Sequence, residues 1–210
     1  MIKINKDNNL IVGDNILHLS KFPNFVNGHL TRYPTTKYLE LEAINLKSTN
    51  FNEEQLGKFI RHVCIWGGYA GIGARILSQN PFIYIKNHFI NAMKILDTIN
   101  PDVKKALLEI NNIRNLGSPS FASKHLRFLK PDICPILDSI ISDKLDYEYD
   151  AQGYKCLSDD CLIVADKLQA AGIFNPMERD RGRWFAADVE MAIFSFINNI
   201  TASKQELIAD

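Results

Sequence analysis

From Thr35 onward the apolar residues recur at three- and four-residue spacing, interrupted by proline, glycine and capping residues rather than by strand-like alternation. A chain patterned this way buries its apolar face as helices. Thr35 or Thr36 can cap a helix carrying Leu39, Leu41, Ile44 and Leu46, and Asn52 can cap the next, with Leu56, Phe59, Ile60 and Val63 on one face. That helix runs into Ile65–Gly73, a break containing four glycines. Pro81 opens a long amphipathic helix, a further one carries Val103, Leu107, Leu108 and Ile110, and Pro119 or Ser120 opens another. Pro131 ends that helix by denying a backbone donor. Residues 146–155 read as a polar loop, and two helices close the chain at about 157–171 and 184–200. The expectation is an all-α fold of nine or ten helices, with residues 35–210 as the helical domain. Residues 1–34, broken by Gly13, Pro23, Gly28 and Pro34, are expected to form an irregular N-terminal arm with one short helix.

The 210 residues suit one large domain or two closely packed lobes, and the 46% hydrophobic content supplies a core, so disorder is excluded. No run of about 18 apolar residues occurs. The start, MIKINKDNNL, has no signal-peptide core, and a soluble cytoplasmic protein with no membrane contact is expected. Cys64, Cys134, Cys156 and Cys161 lack the CxxC spacing of a zinc or iron–sulfur site, and the histidines are scattered, so neither a metal nor another cofactor is expected. The 24 basic and 24 acidic residues cancel, which argues against a non-specific polyanion binder but leaves room for a local basic face. Two clusters could supply it: Lys124, His125, Arg127 and Lys130, and the alternating Arg179, Arg181 and Arg183.

The chemistry concentrates in Gly117–Ser139, a turn, a helix of about three turns, a proline-bounded connector and Asp138 at the next helix start. The positive end of a helix favours an ionised carboxylate there. Such a group beside a nucleic-acid sugar can stabilise an oxocarbenium ion or orient a nucleophile, as glycosidic cleavage requires. Backbone amides at Ser118–Ser120 could hold a phosphate. On the residues alone, an ordinary N-cap is the simpler account of Asp138, since aspartate is common there.

The segment resembles the helix-hairpin-helix DNA glycosylase superfamily, and Pro135-Ile136-Leu137-Asp138 matches the Pro-Ile-Leu-Asp of adenine DNA glycosylases. A more specific likeness is to bacterial proteins with an 8-oxoguanine DNA glycosylase fold. Three places carry it, within residues 60–196: Trp66-Gly67, the stretch from Ser120-Phe121-Ala122-Ser123-Lys124 to Asp138, and Ala186–Ala192. The resemblance implies a helix-hairpin-helix domain, with its hairpin segment at about 114–145, and Asp138 as the catalytic carboxylate. Two departures stand out. The usual Leu-Pro-Gly-x-Gly hairpin is Asn115-Leu116-Gly117-Ser118-Pro119, and Ser120 occupies the position of the bifunctional enzymes' lysine. Lys124, one turn further along the same face, can project back over that position. Two mechanisms stay open: attack on C1′ by a desolvated Lys124 amine, giving a lyase, or activation of water by Asp138.

Secondary candidates follow from the same likeness. Trp66 is either core or the wall of a pocket for an extruded base. Asp188 and Glu190 cannot share a helix face, and the likeness favours Asp188 as the pocket residue. Ser118, Ser120, His125, Arg127, Arg181 and Arg183 are the expected DNA contacts. The expected function is a DNA glycosylase acting on double-stranded DNA that carries an oxidised or otherwise modified base. It would be associated with the nucleoid, with no obligate protein partner. A modified base in foreign DNA, such as phage DNA, is the alternative to a repair substrate. Competing readings are a non-catalytic DNA- or nucleotide-recognition module of the same fold, and a helical protein-interaction domain in which Asp138 only caps.

Overall fold

The computed structural model describes residues 1–7, 9–117 and 119–209, with side chains described to residue 202. Its chain begins with three short strands, β1 (Lys3–Ile4), β2 (Leu10–Val12) and β3 (Asn15–Leu17), paired antiparallel in that order. A 3-10 turn at Leu19–Lys21 leads into α1 (Phe22–Arg32). The N-terminal region is therefore structured, not irregular. Leu10, Leu17, Phe22 and Val26 are fully buried, so it belongs to the core. Strands of two or three residues are too short to show alternation in a sequence.

Nine further helices follow: α2 (Thr36–Ser48), α3 (Glu53–Trp66), α4 (Ala70–Gln79), α5 (Phe82–Leu96), α6 (Val103–Asn111), α7 (Ser120–Leu129), α8 (Ser139–Leu145), α9 (Ala151–Ala170) and α10 (Ala186–Ala209). The molecule is thus mostly helical with one small sheet. Several helix starts are fixed by side chains. Asn52 accepts from the amides of Glu54 and Gln55, with Glu53 and Glu54 complementing the dipole of α3. Asp102 accepts from Lys105, and Asp138 from Ile141 at 3.0 Å. The glycine-rich break is shorter than expected, because α4 resumes at Ala70 and contains Gly71 and Gly73.

The polar stretch 146–155 is likewise only half a loop. Asp150 caps α9 through the amides of Gln152 and Gly153, both at 2.8 Å. A Cβ on Gly153 would lie 1.9 Å from the Glu148 carbonyl oxygen, so only glycine allows the loop to fold back on the helix.

The buried apolar side chains form one cluster, from Leu10 near the start to Ile197 in α10. Helix α7 sits among α2, α3 and α6, and every residue from Ala122 to Leu129 is buried. Helix α10 packs on α1, α8 and α9. The start of α7, the start of α8 and one face of α10 border a common space.

Candidate active site

That space is a cavity of about 300 Å³, at the small end of the range for ligand sites. Its polar lining comes from four places: Ser120 and Lys124 on α7, Asp138 and Ser139 at the start of α8, Glu190 on α10 and His29 on α1. The rest of its wall is mostly aromatic, with Tyr33 from α1, Trp66 from α3, Phe121 from α7 and Phe194 from α10, Tyr69 and Tyr149 at the exposed rim, and Gly67, Ile136 and Ile140 between them. Trp66 is held by its indole N–H, which donates to Thr36 Oγ1 at 3.0 Å, and meets the Phe128 ring edge-on at 5.0 Å. It is both wall and packing.

Lys124 is 7% exposed and donates from Nζ to Ser120 Oγ at 2.6 Å. The two residues lie one helical turn apart, as the shared face requires. Burial lowers the Lys124 pKa, although Asp138, Glu190 and Cys64 all favour its charged form. Gly67, which caps the C-terminus of α3, makes room for the lysine stem. A Cβ there would lie 3.0 Å from Lys124 Cδ and 3.3 Å from Cε. Gly67→Ala should therefore keep the fold, because its φ of −75° suits any residue, yet displace the amine. The expected loss in any reaction through Lys124 is about 10-fold, read in single-turnover kinetics against an unchanged melting temperature.

Glu190 is 2% exposed and its Oε2 has no hydrogen-bond partner. Burial, reinforced by the Asp138 charge, raises its pKa to about 8, with Arg127, Lys124 and the Ile136 amide opposing. That shift favours its protonated, uncharged form near neutral pH. His29, 3% exposed with both ring nitrogens unpartnered, also lines the cavity; burial, Arg127 and Arg32 lower its pKa to about 3. His29 was not singled out in the sequence, and Glu190 was set aside there in favour of Asp188. The available signal for Glu190 was its setting: Val189, Met191, Ala192 and Ile193 flank it in the same helix, with Asp188 two residues before it on another face.

Asp188 corrects an expectation. It does not line the cavity but is fully buried in an ion network, because a two-residue offset turns it away from the face shared by Glu190 and Phe194. Its Oδ1 lies 2.6 Å from Arg179 Nη2, and its Oδ2 accepts from Asn175 at 2.8 Å and from the Phe185 amide at 3.1 Å. Arg179 also pairs with Glu40 on α2, which in turn meets Arg127 Nη1 at 2.7 Å. Burial raises the Glu40 carboxyl, but the charges of Arg127 and Arg179 outweigh that and hold it below the usual carboxylate range.

Arg127 and His125 are the second correction. Both are fully buried, so neither reaches a phosphate. Arg127 is committed to Glu40 and to Met191 Sδ at 3.2 Å, and His125 donates from Nδ1 to the Phe121 carbonyl at 2.7 Å. Burial lowers the His125 pKa to about 4. The network ties α7, which carries Lys124, to α2 and through Arg179 to the start of α10.

Arg181 and Arg183 are exposed, away from the cavity lining. The Arg183 guanidinium lies over the Phe185 ring at 5.4 Å. Ser118 lies outside the described residues. Among the described residues no group of three His, Cys, Asp or Glu side chains is placed to hold a metal. Nor is any helix long and apolar enough to cross a membrane.

Chemically, the cavity offers a desolvated amine, a carboxylate at a helix N-terminus, a neutral carboxylic acid and ring faces for a planar ligand. No family model, curated protein or solved structure matches this chain.

Proposed function

We propose that the cavity receives a base extruded from double-stranded DNA and cleaves its glycosidic bond, with Lys124 as nucleophile and Asp138 stabilising positive charge at C1′. The observation that carries this reading is the buried Lys124 amine beside Asp138 in an aromatic cavity. Stacking on ring faces suits any nucleobase, and loss of solvation is how a lysine becomes a nucleophile near neutral pH. Amine attack at C1′ expels the base and forms an imine, from which elimination of the 3′ phosphate nicks the strand. The finer fold that goes with this function is the helix-hairpin-helix glycosylase domain. The succession of α6, the turns at 112–116, α7 and the Asp138 cap of α8 supports it.

Borohydride reduction during incubation with a duplex containing an abasic site tests the proposal. The wild type should form a covalent protein–DNA adduct and Lys124→Gln should form none. An adduct of equal yield in Lys124→Gln would sink the lysine assignment.

A second reading is a nucleotide- or DNA-recognition module without chemistry. The burial of His125 and Arg127 favours it, since two expected phosphate contacts are lost. It predicts saturable, salt-sensitive binding of modified duplexes with neither base release nor adduct.

A further inference from the structure

We propose that Glu190 is a second catalytic residue of this cavity, the acid that protonates the group leaving C1′ and then the base that takes a proton back from the lysine adduct. The inference rests on the reading of Lys124 as nucleophile and assigns the proton transfers that its attack requires.

Helix α10 presents Glu190 and Phe194 to the cavity from one face, one helical turn apart. A base resting against the Phe194 ring therefore has the Glu190 carboxyl beside it. Among the described residues Glu40, Asp188 and Glu190 are the buried acids, and the first two are held by arginines. Glu40 meets Arg127 at 2.7 Å and Asp188 meets Arg179 at 2.6 Å. Glu190, 2% exposed, stands in no such pair among the described residues, and its Oε2 has no hydrogen-bond partner. Burial without an ionic partner favours the protonated carboxyl, because the charged form loses more solvation. Asp138 at the start of α8 reinforces that preference, and Arg127 and Lys124 on α7 oppose it. Burial lowers His29 on α1 to about 3 and raises Tyr154 and Cys161 on α9 well above their ordinary values, so these three add no charge near pH 7. The result is a carboxyl raised to about 8, which holds and releases its proton in one pH range, as general-acid work demands.

When Lys124 Nζ brings its electron pair to C1′, the bond from C1′ to the base nitrogen breaks and its pair stays with the base. The Glu190 proton joins that nitrogen, so the base departs neutral and Glu190 is left as a carboxylate. The new C1′–Nζ bond leaves Nζ positively charged with two protons. Glu190 takes one of them and is an acid again. The base has gained one hydrogen, the amine has lost one, and no net charge accumulates on the cavity wall. On an abasic site the amine adds to the C1′ aldehyde, and the hydroxyl of that adduct leaves as water with the same proton. A duplex without a base therefore reports on the acid, whichever base the cavity selects.

The test is the rate at which covalent adduct accumulates on an abasic duplex before a borohydride quench, between pH 6 and 10, for wild type, Glu190→Gln and Glu190→Asp. Circular dichroism at each pH checks that all three are folded. The acid role predicts that Glu190→Gln is about 100-fold slower at pH 7. It also predicts that the wild-type rate falls above pH 8 and that the Glu190→Gln rate does not. Glu190→Asp keeps a carboxyl and should keep an alkaline fall. A Glu190 that acts only through its charge on Lys124 predicts equal rates at pH 7 and a faster Glu190→Gln above pH 8. That pair of results, a Glu190→Gln profile parallel to wild type, or a Glu190→Asp profile without the fall overturns the acid role alone. A wild type that forms no adduct at any pH overturns the nucleophile and the acid together.

Discussion

Replacing Asp138 with asparagine should slow base release by roughly 1,000-fold while moving the melting temperature little. The two halves of that expectation separate chemistry from folding. Asparagine is as good an N-cap as aspartate, and its Oδ1 can still accept the Ile141 amide now bonded at 3.0 Å. What disappears is the negative charge that the proposed reaction sets against the sugar. Asp138 is also the largest influence keeping a proton on Lys124, so its loss leaves the amine easier to free. Trapping on an abasic duplex, where the base is already gone, should therefore suffer less than excision of a base. Single-turnover assays on the two substrates read the split. Equal losses on both would mean that Asp138 acts at a step the two substrates share and not in expelling the base, and unchanged excision would return it to the role of a cap.

The pair Lys124 and Asp138 was legible in the sequence because both lie in one local segment with its own punctuation, Pro119, Pro131 and Pro135. Helix existence was legible for the same reason: period and caps such as Asn52 are local properties. What the sequence hid is tertiary. A run of Lys124, His125 and Arg127 reads as a basic surface, yet α7 is enclosed by three other helices, and the partner that makes Arg127 tolerable, Glu40, is on α2. A buried charge left without that partner is strongly destabilising, so the burial of Arg127 is legible only once Glu40 is in place. Glu190 was passed over and His29 missed because their neighbours, Asp138 and Tyr33 among them, come together through the packing of α10 on α8 and α1. The choice of Asp188 failed on helical phase, which resemblance does not resolve but burial does.

The same buried groups should give the protein a stability maximum near pH 6.5, and Glu190→Gln should remove its alkaline side. The sign follows from which state holds more protons. Glu190 is raised from 4.5 to about 8, so between those values the folded state keeps a proton that the unfolded chain has lost. Its contribution is complete below pH 4.5 and is lost as pH rises toward 8, by about 1.4 kcal/mol per unit. His29 and His125 are lowered to about 3 and about 4, so the unfolded chain holds the extra protons and stability is lost as pH falls below 6.5. Between 4.5 and 6.5 the two histidines outweigh the one carboxyl and stability rises; above 6.5 Glu190 is left to pull it down. Lys124, lowered from 10.5, adds stability as pH rises on its own alkaline window, so the comparison to make is wild type against Glu190→Gln at each pH. Urea unfolding at pH 5, 6.5 and 8 should show Glu190→Gln flat or rising across the last interval, where wild type falls by about 1 kcal/mol because the histidines offset part of the Glu190 loss. Parallel curves would mean that Glu190 is ionised in the folded protein. A neutral Glu190 also matters for the reaction, because it leaves Asp138 as the one carboxylate charge on the cavity wall. The Lys124 ammonium is then held less tightly below pH 8 than above it, and the fold supports an amine in the range where a carboxylate pair would oppose one.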